Sequence, residues 1–219
     1  MHITNTSDLF LRNCYQNGTL FFESDKPQTV ELFLPLSGLY ELTLVGGGGG
    51  ADGGCYHKGT HHSHHYTRSQ TGRGGGSGAA FKGQVFLQRG NYLITVGGAG
   101  GGAGRGGKGG NTAGSGGNTF LAKRDDGAII ASASGGEGSG SQRYALCFRE
   151  SSYAATPGRG GICSVTSGYI FKNIELQQNG LAGSGTSGGN SVFSGTNYGK
   201  GGNANSGSGI GGYAKLMMI

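Results

Sequence analysis

The sequence predicts an all-β protein, and three observations carry that expectation. Apolar residues alternate along short segments, as in Val30, Leu32 and Leu34 and again in Tyr40, Leu42 and Leu44, the period of a strand with one buried face. No segment of helical length repeats its apolar residues every 3.6 positions. The order strand, turn, strand, glycine tract occurs twice, which marks it as architecture rather than accident.

Strand-like segments open the chain at 19–22, 29–34 and 39–45. Pro35, Leu36, Ser37 and Gly38 supply turn residues between the last two, so the pattern predicts a β-hairpin that runs directly into Gly46. A polar segment, 51–77, follows and holds most of the histidines. A second hairpin is expected from 84–87 and 92–96, joined at 88–91 and ending in Gly97 and Gly98. Further strand candidates are 119–122, 128–131, 144–148, 169–176 and the C-terminal 213–219, the last placed inside a sheet. Asp125 and Asp126 precede Gly127 and read as turn residues.

Glycine supplies 52 of the 219 residues, against about 7% in ordinary proteins. Apolar types reach only 34% and charged residues 13%, which excludes both a large aliphatic core and a highly charged disordered tail. Three prolines and the absence of imino-acid triplets exclude collagen. No apolar run approaches the ~18 residues of a membrane span, and the N-terminus has neither the basic nor the apolar region of a signal peptide. The net charge of +6 comes from scattered Lys and Arg and reads as solubility of an apolar-poor surface, so no nucleic-acid partner is expected.

The glycines have a period. Gly98, Gly101, Gly104, Gly107, Gly110 and Gly116 are spaced by multiples of three, interrupted in register by Ala113. An extended left-handed helix of the polyproline II type has three residues per turn, so such a row gives it one bare face. Bare faces let neighbouring helices approach until backbone groups pair between them. The expected product is an ordered bundle of polyglycine II helices from 46–54, 97–117, 183–189 and 199–212, with Lys108, Asn111, Ser115 and Asn118 facing outward.

The order of blocks resembles the glycine-rich domain of the anaplastic lymphoma kinase and leukocyte tyrosine kinase receptor ectodomains and of many bacterial and phage surface proteins. The resemblance rests on the run from Gly38 to Gly50, the run from Lys82 to Gly100, Gly106-Gly107-Lys108-Gly109-Gly110-Asn111, Gly116-Gly117-Asn118-Thr119 and Gly211-Gly212-Tyr213-Ala214-Lys215-Leu216. It covers residues 28–219. It implies a jelly-roll β-sandwich, similar to the tumour necrosis factor fold, with an inserted polyglycine II bundle. No kinase, membrane span or receptor-type cysteine pattern accompanies it, so receptor function does not carry over. Residues 1–27 match nothing in that pattern and read as an attachment or strand-exchange segment.

Catalytic motifs are absent: there is no G-x-S-x-G elbow, no HExxH and no P-loop. Candidate contact residues cluster instead in two polar segments, with Tyr56, His57, His61, Tyr66 and Arg68 in the first and Arg149, Tyr153 and Arg159 in the second. His62 and His64 share a side of an extended chain, and threefold symmetry would gather six imidazoles around one transition metal. Such HxH sites resemble those of trimeric phage fibre tips; otherwise no cofactor is expected. Cys14, Cys55, Cys147 and Cys163 show no CxxC spacing and allow three pairings, Cys147 with Cys163 among them.

These features give the expectation of a noncatalytic structural or adhesive virion protein, a phage fibre, spike, decoration or receptor-binding component. It would form a homo-oligomer, a trimer for sandwiches of this kind, and act with other assembly proteins on a host receptor or glycan. A bacterial surface or matrix protein that self-assembles into extracellular filaments is one alternative, and a glycan-binding module another. Each places the protein on a virion or outside the cell.

Overall fold

The structure is a computed structural model that describes residues 18–61, 64–104, 112–140, 156–205 and 207–219. It is all-β, with no α-helix among the described residues. One antiparallel sheet has the order β1 (Leu20–Ser24), β12 (Tyr213–Met218), β3 (Gly38–Val45), β6 (Ala80–Leu87), β11 (Phe171–Gln178). The other has the order β10 (Cys163–Val165), β9 (Ile129–Ala133), β8 (Thr119–Lys123), β7 (Gly90–Val96), β2 (Gln28–Leu34). A separate pair is made by β4 (Cys55–His61) and β5 (His64–Gln70).

The alternation legible in the sequence sets which faces meet. Tyr40, Leu42 and Leu44 of β3, Phe81, Val85 and Leu87 of β6, Tyr92, Ile94 and Val96 of β7 and Leu121 of β8 bury in one cluster between the sheets. Val30 and Leu32 pack on it and Leu34 is fully buried, whereas Phe33, one position out of phase, is 54% exposed. The candidate strand at 144–148 lies outside the described residues.

Neither expected hairpin forms. β2 pairs with β7 and β3 with β6 and β12, so each supposed hairpin, β2 to β3 and β6 to β7, crosses from one sheet to the other. Period-2 burial is the same for two strands side by side and for two strands facing each other, and here the facing arrangement lets both apolar rows fill one core. The two corners share a device. The Tyr40 hydroxyl donates to the Leu36 carbonyl at 2.8 Å and the Tyr92 hydroxyl to that of Gln88 at 2.7 Å, each four residues back. Ser37 joins the corners by accepting the Arg89 N–H at 2.8 Å.

At the other end of the sandwich the strands run into glycine tracts, which occupy 46–54, 71–79, 97–104, 112–118, 134–140, 156–162, 179–189 and 199–212. The tract after β3 is the inner one. Its N–H groups from Gly46 to Ala51 donate in turn to Ala79, Gly117, Ile210, Gly76, Gly114 and Gly207, all at 2.8–3.0 Å. Every third residue thus returns to the same neighbour. Its carbonyls accept with the same period, Gly47 and Gly50 from Gly136 and Ser139, Gly48 and Ala51 from Gly100 and Ala103, and Gly49 from Gly202. The inner tract is therefore bonded on six sides, where a strand in a sheet is bonded on two. Residues 74–79 repeat the rule, donating to Gly185, Gly202, Glu137, Leu181, Gly199 and Ser134.

The packing leaves no room for side chains at the centre. A Cβ on Gly48 would overlap the Lys200 carbonyl and one on Gly49 that of Glu137, whereas a Cβ on Gly101, in an outer tract, meets open space. Outer tracts use side chains as substitute acceptors: exposed Asn118 takes the Gly135 N–H at 3.0 Å and exposed Ser115 that of Gly138 at 3.4 Å. Where sandwich and tracts meet, the buried Thr119 hydroxyl of β8 donates to the Val45 carbonyl of β3 and accepts from Gly97, closing one sheet onto the other.

Two predictions follow from this geometry. Gly48→Ala destabilises the protein by about 3 kcal/mol or more, because the obstruction is backbone, while Gly101→Ala is neutral or stabilising by about 0.5 kcal/mol; chemical denaturation followed by circular dichroism compares them. The Tyr40 phenol is pushed up to about 12 by burial, with a smaller contribution from Tyr92. A pKa raised in the fold means that its contribution to stability is complete below pH 10 and falls as pH rises from 10 toward 12. Tyr40→Phe costs about 1–2 kcal/mol at neutral pH through the orphaned Leu36 carbonyl and flattens that alkaline decline.

Candidate functional site

The segment read from sequence as a polar loop is a hairpin. Its ladder pairs Cys55 with Gln70, Tyr56 with Ser69, His57 with Arg68, Lys58 with Thr67, Gly59 with Tyr66, Thr60 with His65 and His61 with His64. Cross-strand partners share a face and alternate positions share it along each strand. Positions 57, 59, 61, 64, 66 and 68 therefore lie on one face, and 56, 58, 60, 65, 67 and 69 on the other. Four of the candidate contact residues, His57, His61, Tyr66 and Arg68, fall on the first face together with His64. Tyr56 falls on the second.

A free two-stranded hairpin is marginal in water, and the base of this one is anchored. Asp52, three residues before β4, is fully buried, and its Oδ1 accepts the Gly54 N–H at 2.9 Å and the Arg73 N–H at 3.1 Å. One carboxylate oxygen thus holds the chain on its way into and out of the hairpin. Ser139 completes the neck, accepting the Asp52 N–H at 2.7 Å and donating to the Arg73 carbonyl at 2.8 Å. Asp52 Oδ2 and Arg73 Nε are buried there without a partner among the described residues. Sequence reasoning missed both Asp52 and Arg73; an acid and a base flanking a polar insert at the ends of two glycine tracts were the only signal.

Arg159 is exposed on the tract at 156–162, where its carbonyl accepts the Glu137 N–H at 2.8 Å. Arg149 and Tyr153 lie outside the described residues, as does His62 of the expected metal pair. The strands pair His61 with His64, and no group of three or more His, Cys, Asp or Glu comes together among the described residues. Cys163 is a free, half-buried thiol raised to about 11 by burial, partly offset by a backbone hydrogen bond with Gln178; Cys14 and Cys147 lie outside the described residues.

No family model and no curated protein matches the chain.

Asp52→Ala strands the buried Gly54 N–H and the part-buried Arg73 N–H and is expected to cost about 2–3 kcal/mol. The loss is local to the neck. Hydrogen exchange at residues 53–73 accelerates strongly while the β3 and β6 amides stay protected; uniform acceleration throughout the chain would show that Asp52 is not a hairpin anchor.

Proposed function

We propose that the chain is a noncatalytic structural or adhesive virion protein, a phage fibre, spike, decoration or receptor-binding component. In this reading it displays a contact hairpin at the end of a rigid bundle of polyglycine II helices carried by a jelly-roll-like sandwich. The observation that carries it is the threefold rotation of hydrogen bonds along residues 46–51, with bonds on six sides of one tract. That pattern suits three-residue-per-turn extended helices packed side by side, and it makes the stalk stiff where a Gly/Ser linker would be flexible. The sandwich supports the jelly-roll reading because β2 and β3, like β6 and β7, are divided between sheets while the outermost strands in sequence, β1 and β12, pair.

The topology suits display. Residues 46–52 leave the sandwich and 73–79 return to it, so the hairpin sits at the end remote from the sheets. Other tracts pair with each other near that end, Gly114 with Gly101 and Gly140 with Thr156. Loops on a stiff scaffold are where binding is usually placed, and the partner fitting this arrangement is a host receptor or glycan. Self-association into a closed trimer accompanies the reading, with β1, β2, β10 and β11 at the sheet edges among the described residues. The virion or the cell exterior is its place of action.

Light scattering on size-exclusion fractions, with negative-stain images of the same peak, tests the assembly. A discrete three-chain particle is expected, and filaments or a concentration-dependent ladder would instead favour a self-assembling bacterial surface protein. Repeating the run with a chelator separates the histidine proposal from the assembly: a trimer that loosens has a metal at His62 and His64, and an indifferent trimer has none. Replacing residues 55–70 by a short linker is expected to abolish adsorption to host cells without changing particle size.

A further inference from the structure

At the end of the sandwich opposite the glycine tracts is an open cleft of about 490 Å3 lined by Phe86, Gln88, Tyr92, Lys123, Tyr169 and Ile170. Its volume falls within the ~300–1,000 Å3 usual for small-molecule sites. Two of its walls are large apolar side chains left in water, Phe86 at 42% and Ile170 at 62% exposure. They are held side by side by the Phe86 N–H, which donates to the Ile170 carbonyl at 2.9 Å. Gly168 keeps the approach beside Tyr169 free of a side chain.

The polar lining is Gln88, Tyr92 and Lys123. The backbone of Lys123 is held from both sides, its N–H donating to Ala128 at 2.9 Å and its carbonyl accepting from Gly127 at 3.0 Å. Its ammonium forms no ion pair among the described residues. The neighbouring cation, Arg124, is already paired with Glu31 at 3.3 Å. The Tyr92 phenol is spent on the Gln88 carbonyl and raised by burial, so it stays neutral at physiological pH. Asp125 also contributes to that rise and opposes an anion here.

We propose that this cleft binds an acidic sugar, a pyranose bearing a carboxylate. The carboxylate sits on the Lys123 ammonium, the ring's C–H face lies against Phe86, Tyr169 and Ile170, and hydroxyls meet the Gln88 amide. An apolar ligand would leave the ammonium and amide unpaired, and a neutral sugar would leave the charge unused. The cleft lies at the opposite end of the molecule from the hairpin, so this inference stands or falls apart from the tip-display reading.

The test is a titration of the full chain with glucuronic acid, N-acetylneuraminic acid and glucose, read by amide chemical shifts. Saturable shifts centred on residues 86–92, 123 and 168–170 are expected, with at least one of the two acids about tenfold tighter than glucose, the gain of one charge-assisted hydrogen bond. Lys123→Gln erases that preference, Phe86→Ser weakens the acid and glucose alike, and Asp125→Asn tightens the acid several-fold. Both replaced walls are solvent-exposed or partly so, and the β7 amide shifts report that each variant remains folded. No saturable shift at tens of millimolar, shifts located at the hairpin, or acid and neutral sugars binding equally would each overturn the proposal.

Discussion

The backbone groups of residues 46–51 can be satisfied only by other backbones, and the rest of the structure depends on that constraint. Each N–H of that tract donates to another tract, so burying it demands partners on all sides. Five other tracts provide them, 199–212 on two of the six sides, and each must come close enough that a single methyl group at Gly48 or Gly49 would strike a carbonyl. Glycine is used here in spite of its large ordering entropy, because no residue with a Cβ fits.

The sandwich makes the arrangement possible. β3 lies at the middle of its sheet between β12 and β6, and the tracts continuing from those three strands remain neighbours beyond it. Across the core, side chains hold two packed sheets about 10 Å apart. Once the side chains stop at Gly46, the layers close, and tracts continuing from β7, β8 and β9 come within hydrogen-bond distance of the one leaving β3. The third direction of bonding is thus what remains of a sandwich when its core residues are replaced by glycine. Thr119 sits at that transition, bonding to β3 across the closing gap. The sandwich anchors the tracts, and the neck at Asp52 anchors the hairpin that they carry.

Much of this was legible in sequence, but not evenly. Alternation in β3 and β7 named the core face correctly, because half-buried strands leave a period-2 trace. The same trace cannot tell a strand beside its neighbour from one facing it, and both corners were accordingly misread as hairpins. The tracts at 71–79, 134–140 and 156–162 escaped notice because Arg73, Glu137 and Arg159 interrupt them; Glu137 and Arg159 are exposed, and Arg73 is half-buried at the neck beside Asp52. β4 and β5 were missed because Tyr, Thr and His favour strands without producing apolar alternation. The cleft was invisible to sequence altogether, assembled as it is from the ends of β6, β7 and β8 and the turn before β11.

Hydrogen exchange of the glycine amides, resolved by NMR, tests the central claim most directly. The amides of Gly46 through Gly50 are predicted to exchange as slowly as those of β3, only through global unfolding, while the Gly101 amide on an outer face exchanges far faster. Exchange of all these glycines at the rate of an unfolded chain would mean that the tracts are linkers, and that no bonded bundle exists.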